Sequence, residues 1–469
     1  MNIISFTLLR YFSMLKNIQI NNLFEYLKKL LIPKKEQKVI IYVLSLFYLI
    51  NLLFVIVFGR PFVGILIFNQ QLGKAYVLGG AISLLIILFI SIFLNKKIPK
   101  EIRILTNSSI LILIGFAISL FLNDFQLNMY LFKSSSYIWS LGYIGFGYYF
   151  LSKINKELIV LAVILSAFSL YFISVINYPN FIIDIFISNS DKFQLVKAAD
   201  SLLIFVILNL IVDKYSNISE NLKLSILMFS FGLFLPYYIY QSRGSLLAAL
   251  LFFTICVFSY RKFILNNYLI VFIYTFVTAL LFYLSSYSIA FISVDEEFMP
   301  ENFAEANTGI IDNILTEKEP RSGFLTFYFD NGRIKSLDAT TDWRLDIWQD
   351  LLDDLSLNDK LFAGFGYSEP FGIMSDPSEP GRLGRDGLNE HVHNYFFNII
   401  GRGGLLQLAF FLIFYLCVYI VWKRKNLKSI DFVKLFLPIM IVSSLDVTME
   451  GVHFPFIFLS FLGYFLSSD

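Results

Sequence analysis

Two of the chain's three histidines, His391 and His393, stand in HVHNYFFNIIGRGGLLQLAFF, residues 391–411, where a long hydrophilic stretch gives way to an apolar run. An imidazole with an ordinary pKa near ~6.5 can take a proton from a hydroxyl at neutral pH, and at a membrane surface its substrate would lie partly in lipid. Two arginines offer the complementary chemistry for an anion. Arg243, in PYYIYQSRGSLLAAL, lies between two apolar runs, where an ionisable side chain is costly and marks a functional candidate. Gly244 and Ser245 keep that turn small enough for the guanidinium to reach an anionic headgroup. Arg344 lies in TTDWRLDIWQDLLDDL, residues 340–355, whose Ile347, Trp348, Leu351, Leu352 and Leu355 have helical spacing. With Thr341 or Asp342 as N-cap, Arg344 falls in the first turn, which disfavours a cation unless an anion binds there as well. The alternatives are ordinary ones: Arg344 pairing with Asp342 or Asp346, Arg243 snorkelling to phospholipid, and His393 serving as a hydrogen-bonded structural residue.

A helix beginning near His393 places Gly404 about 20° from the same face at ~100° per residue, with Arg402 opposite. His393 is then expected to look over a groove lined by Gly401, Gly403 and Gly404, open to another helix or a lipid chain. Glu390, His391 and His393 as metal ligands lack a clear further ligand, and no metal is expected. His453 opens the last apolar run near Asp446 and Glu450, two acids that either orient a basic group or are ordinary loop polarity.

These residues need a scaffold, and the composition says which kind. With 57% hydrophobic and only 15% charged residues, the 469-residue chain is not an ordinary soluble enzyme, in which the charged share would approach ~25%. Apolar runs without alternation predict an all-α polytopic membrane protein rather than a barrel. About twelve transmembrane helices are expected, near 38–58, 75–95, 104–122, 136–152, 158–178, 198–212, 224–241, 245–260, 264–292, 394–422, 432–447 and 453–466. Residues 1–37 read as a cytoplasmic amphipathic segment with no cleaved signal, 38–292 as helices one to nine, 293–392 as the large outer loop with short helices, and 393–469 as helices ten to twelve. Lysines and arginines cluster in the loops that share one side, including Lys96, Lys97, Lys100, Lys153, Lys156, Lys423 and Arg424, which makes that side cytoplasmic. The large loop carries 21 Asp and Glu against 8 Lys and Arg, a local balance of −13, without the spacing of a calcium loop. Cys256 and Cys417 fall inside apolar runs and read as buried small hydrophobes.

In its motifs the chain resembles the O-antigen ligase and O-antigen polymerase family of bacterial membrane glycosyltransferases. The ligase signature is His, then Asn, Ser or Gln, nine residues, then Gly-x-x-Gly/Thr/Tyr. His393, Asn394, Tyr395 to Gly403 and Gly404 match it, and Gln407 departs at the last position. A Ser-Arg-Gly turn at Ser242 to Gly244, Arg344 beside Trp348 in the outer loop, and the Gly-x-Gly stretch in LFAGFGYSEPFG, residues 361–372, agree as well. The resemblance implies a GT-C-type fold, a donor glycan on undecaprenyl pyrophosphate, and an acceptor that is lipid A-core or another glycan. It assigns His393 as the base and Arg243 and Arg344 to the pyrophosphate, with Asn394, Gly404, Trp348 and Asp446 in support. It also implies a bacterial inner-membrane protein, with membrane lipids around it and its active site on the periplasmic side.

No phosphate-loop or dinucleotide signature occurs, and no cofactor or nucleic acid is expected. Within the same chemistry the alternatives are an O-antigen or exopolysaccharide polymerase and a protein O-oligosaccharyltransferase. From another class, a transporter of lipid-linked glycan or a small anion would use the same arginines along a path. A transporter predicts repeated halves, and no convincing internal repeat is present.

Overall fold

The computed structural model describes residues 39–467 apart from 69, 94–98, 124–125, 177, 191–195, 291–325, 376–381 and 383–389. The expected N-terminal segment 1–37 lies outside the described residues. The chain runs through α1 (Val39–Val63), a two-residue hairpin of β1 (Leu66–Ile67) and β2 (Gln70–Gln71), α2 (Leu72–Phe93) and α3 (Lys100–Leu122). Then follow α4 (Met129–Ser134), α5 (Ser136–Trp139), α6 (Tyr143–Phe150), α7 (Lys156–Ile176), α8 (Asn180–Asn189), α9 (Ala198–Tyr215), α10 (Glu220–Gln241), α11 (Arg243–Ser259), α12 (Arg261–Asn266) and α13 (Tyr268–Ala290). The hydrophilic segment supplies β3 (Phe327–Asp330), β4 (Arg333–Ser336) and α14 (Ala339–Leu357), and the chain ends in α15 (Tyr395–Arg424), α16 (Ser429–Leu445) and α17 (His453–Ser467).

Seven helices among the described residues, α1, α2, α3, α7, α10, α13 and α15, are long and apolar enough to cross a membrane. Together with the chain's composition they make this an all-α membrane protein. Phe47, Phe89, Phe168, Phe272 and Phe276 stand exposed on the outside of the bundle, a surface stable only in lipid. The interior is formed around α9 and α17. In α9 nearly every side chain from Ala198 to Val212 is buried, and in α17 every one from His453 to Leu466. Such all-round burial explains why α9 shows no apolar stripe in the sequence. α17 lies on α6 at backbone contact: a Cβ on Gly147 would fall 1.9 Å from the Ser460 carbonyl oxygen, and one on Gly463 would fall 2.1 Å from that of Ile144.

Two expected runs are subdivided. The 136–152 run is α5, a 3-10 turn (Ser140–Gly142) and α6, followed by a second 3-10 turn, and the 264–292 run divides into α12 and α13. The hydrophilic segment also holds a β3–β4 hairpin that the sequence reading did not anticipate. Its turn residues Asn331 and Gly332 have φ of 50° and 80°, as a two-residue Asn-Gly turn requires.

Candidate functional site

The histidine segment is positioned by a helix that breaks. Gly404 has φ 69° and ψ −173°, so α15 is two helices joined at a kink. This corrects the expectation that Gly404 shares a helical face with His393, because no continuous helix links them and His393 itself precedes the helix. The amides freed at the break are taken by the stretch from Leu361 to Gly366. Leu405 N–H donates to the Leu361 carbonyl at 3.0 Å, Leu406 N–H to Phe362 at 3.3 Å, Phe365 N–H to Gly401 at 2.7 Å and Gly366 N–H to Arg402 at 3.0 Å. The groove expected for a helix or lipid chain is therefore filled by the chain's own loop. Arg402, placed by the helical wheel opposite the histidine, is the buried bolt of this brace. It donates to the Gly366 carbonyl at 3.3 Å, to the Glu369 carbonyl and to the Tyr130 hydroxyl at 2.6 Å, with its guanidinium 3.9 Å above the Phe371 ring. Gln407, the motif's departing residue, is fully buried and donates to the Ile112 carbonyl at 3.2 Å.

His393 has φ 52°, a left-handed backbone that histidine tolerates better than most residues. Its neighbours hold it there. Asn394 caps α15, its side-chain oxygen accepting from Phe396 N–H at 2.9 Å and Phe397 N–H at 3.2 Å. The Trp348 indole donates to the Val392 carbonyl at 2.7 Å and stacks on Phe397. Trp343 meets the imidazole edge-on at 5.2 Å between centroids. Burial first, and then the charges of Arg344 and Lys197, push the His393 pKa down to about 4, with Asp446 opposing them. The imidazole is therefore neutral at physiological pH. His391 is likewise held well below its ordinary value, by burial first and then by His393, Lys133, Arg402 and Arg60. Glu390, considered as a metal ligand, is paired with Lys133 at 2.5 Å.

The arginines come from separate elements. α14 begins one turn earlier than expected, because its N-cap is Asp338 and not Thr341 or Asp342. Arg344 thus stands in the second turn, and the argument from first-turn N–H groups does not apply to it. Its placement rests on other grounds. Arg344 Nε is buried with no hydrogen-bond partner among the described residues, and Asp446 and Asp338 supply the negative charges near it. Arg243 opens α11 and pairs with Asp338, whose carboxylate also accepts from Thr341 N–H at 3.0 Å and Thr341 Oγ1 at 2.5 Å. Burial alone would raise the Asp338 pKa, but Thr341 and Arg243 overcome it and hold the carboxyl below its ordinary value. Asp446 caps the C-terminus of α16 beside α11, where a Cβ on Gly244 would lie 2.9 Å from that of Leu445.

His393, Arg344, Arg243 and Asp446 are thus brought to one end of the bundle. Sequence reasoning missed Asp338, Trp343 and Lys197. Asp338 carried a signal, an acid three residues before Thr341, whereas Lys197 carried none, because only the fold brings the start of α9 to α15. Asp338→Ala is expected to fray α14 and remove the Arg243–Asp338 pair, lowering stability by about 1 kcal/mol from the lost cap alone. A fall in melting temperature in detergent checks this.

Residues 224–412 match the family described as O-antigen ligase. The matched range contains Arg243, Arg344, His393 and Gly404. The match bears out the resemblance drawn from the motifs and supports, at a coarse level, a ligase- or polymerase-like enzyme. No curated protein matches the chain.

Proposed function

We propose that this protein transfers a glycan from an undecaprenyl-pyrophosphate-linked donor to a hydroxyl of lipid A-core or of another glycan. The observation that carries the reading is Arg344, a half-buried arginine whose buried Nε is unused, set against His393 and Asp446 while Arg243 is fixed to the cap of the same helix. A pyrophosphate oxygen would satisfy the orphaned donor.

In this reading His393 takes the proton from the acceptor hydroxyl as its oxygen attacks the anomeric carbon, and the bond from that carbon to the pyrophosphate breaks. Arg243 and Arg344 meet the charge that develops on the leaving phosphate, the point at which fixed donors accelerate such a reaction most. Asp446 faces the imidazole and stabilises its protonated form. The free site holds a weak base, because burial first, and then the nearby cations Arg344 and Lys197, depress it. Binding of the anionic donor offsets those cations and raises the basicity of His393 at the moment it is needed.

Twelve crossings and a GT-C-type arrangement are part of the same reading. In it α9, α11, α16, α17 and the broken α4 to α6 supply the five crossings beyond the seven long apolar helices, and the basic loops put the far end in the cytoplasm. The site then faces the periplasm of a bacterial inner membrane.

Transfer by purified protein from a lipid-pyrophosphate glycan, to lipid A-core in one arm and to a second donor molecule in the other, tests the proposal. Arg344→Ala and Arg243→Ala are each expected to lower kcat by about 10²–10³-fold. Undiminished turnover in both would remove their assigned role. Absence of transfer to every acceptor, with flux of the lipid-linked glycan in liposomes, would favour a transporter. The pH dependence adds a second check. The acid limb of kcat/KM should lie near pH 4, that of kcat higher, and Arg344→Ala should move the kcat/KM limb upward, since it removes a cation that depresses His393.

A further inference from the structure

The five residues Val447 to Gly451 carry a carboxyl that the reaction above does not use. Glu450 is 4% exposed. One of its oxygens, Oε2, accepts from Thr448 N–H at 3.1 Å, while Oε1 is buried with no partner among the described residues. Its backbone is fixed as well, since Ser136 Oγ donates to the Glu450 carbonyl at 3.0 Å. The groups that feel its charge come from every side: Asp446 on its own loop, Lys197 ahead of α9, Tyr137 on α5 and Tyr395 on α15. An ionised carboxylate with half its acceptor capacity empty, out of water and near a second carboxylate, is strongly disfavoured.

We propose that Glu450 is a positioning residue that stores a proton in the wall of the site, so that its loop presents one negative charge, that of Asp446, to His393 and the donor's phosphates, beside the Asp338 carboxylate already paired with Arg243. The inference rests on the reading of the site given above. Burial first, and Asp446 after it, raise the Glu450 pKa to about 8, against backbone hydrogen bonds that lower it. The folded-state value lies above the ordinary one, so the proton is held at neutral pH and released as pH rises through about 8. Release places a second negative charge beside an anion-binding site.

Two measurements test this. In the purified protein, the infrared difference between wild type and Glu450→Gln should contain the carbonyl stretch of a protonated carboxyl at pH ~7, and lose it as pH rises through about 8. In the transfer assay, the donor KM of the wild type should rise by roughly tenfold across the same interval, as one added like charge near an anion site in a protein environment predicts, with kcat changing less. Glu450→Gln, permanently neutral, should lose that rise. Absence of the infrared band at neutral pH, or an unchanged alkaline rise in Glu450→Gln, would overturn the proposal. Glu450→Met serves in its place should Glu450→Gln not fold. The infrared readout needs no turnover, so failure of the glycosyl-transfer reading and failure of this inference remain distinguishable.

Discussion

Replacing His393 with Ala is expected to abolish most transfer, lowering kcat by about 10²–10⁴-fold, the contribution of a positioned general base. The left-handed backbone at 393 qualifies the choice of variant. A left-handed backbone costs an L-residue about 1–2 kcal/mol, and alanine adopts it less readily than histidine, so His393→Asn, which tolerates positive φ and cannot act as the base, is the sharper test. Both variants should retain donor binding, measured as displacement of a labelled polyprenyl pyrophosphate, because the guanidiniums are untouched. A His393→Asn protein with wild-type kcat would remove the imidazole from the chemistry. One that neither turns over nor binds donor would make His393 a structural residue of the phosphate site.

Gly404→Ala should be among the most damaging single-methyl changes at the described residues. A Cβ at that position would lie 2.0 Å from the Phe362 carbonyl oxygen and 2.5 Å from Ala363 N, on a backbone with φ 69°. Both obstacles are main chain, so neither can yield by a rotamer change. The expected result is loss of the brace, with a lowered melting temperature in detergent and loss of transfer together. Gly364→Ala should behave alike, as its Cβ would meet the Arg402 carbonyl group at 2.4–2.5 Å. Relief of the Gly404→Ala defect is not expected from trimming the Phe362 side chain, since the clash is with its carbonyl. Full activity and unchanged stability in Gly404→Ala would mean that the break in α15 does not position His393.

The features legible in the sequence were those set by periodicity and local chemistry. The apolar runs located the seven long membrane helices, and the spacing of Ile347, Leu351 and Leu355 located α14, whose buried face they form. His393, Asn394 and Arg243 stood out because polar residues beside apolar runs need a reason, and Arg344 because a cation in the expected first turn of a helix needs one too. Illegible features depended on distant partners. A helical wheel carries Gly404 onto the histidine's face because it assumes an unbroken helix, and nothing local to α15 announces that Leu361 and Phe362 supply the missing hydrogen-bond acceptors. Arg402 looked like a charge on the back of a helix for the same reason. Glu450 looked like ordinary loop polarity until burial removed its solvent. The cap at Asp338 was missed for a smaller reason: Ala339 and Thr340 contribute nothing to the apolar stripe, so the helix start was placed where the stripe begins.

The brace at the break in α15 also constrains how this segment can diverge. Leu361 and Phe362 offer α15 their carbonyls, while their side chains are 38% and 61% exposed. Among descendants of this sequence, the identities at 361 and 362 should therefore drift freely within apolar residues, while Gly364 and Gly404 persist as a pair. Insertions between them should accumulate on the exposed side of the loop. A lineage that lost one glycine would be expected to lose the other, together with His393, since the geometry that each protects is the same.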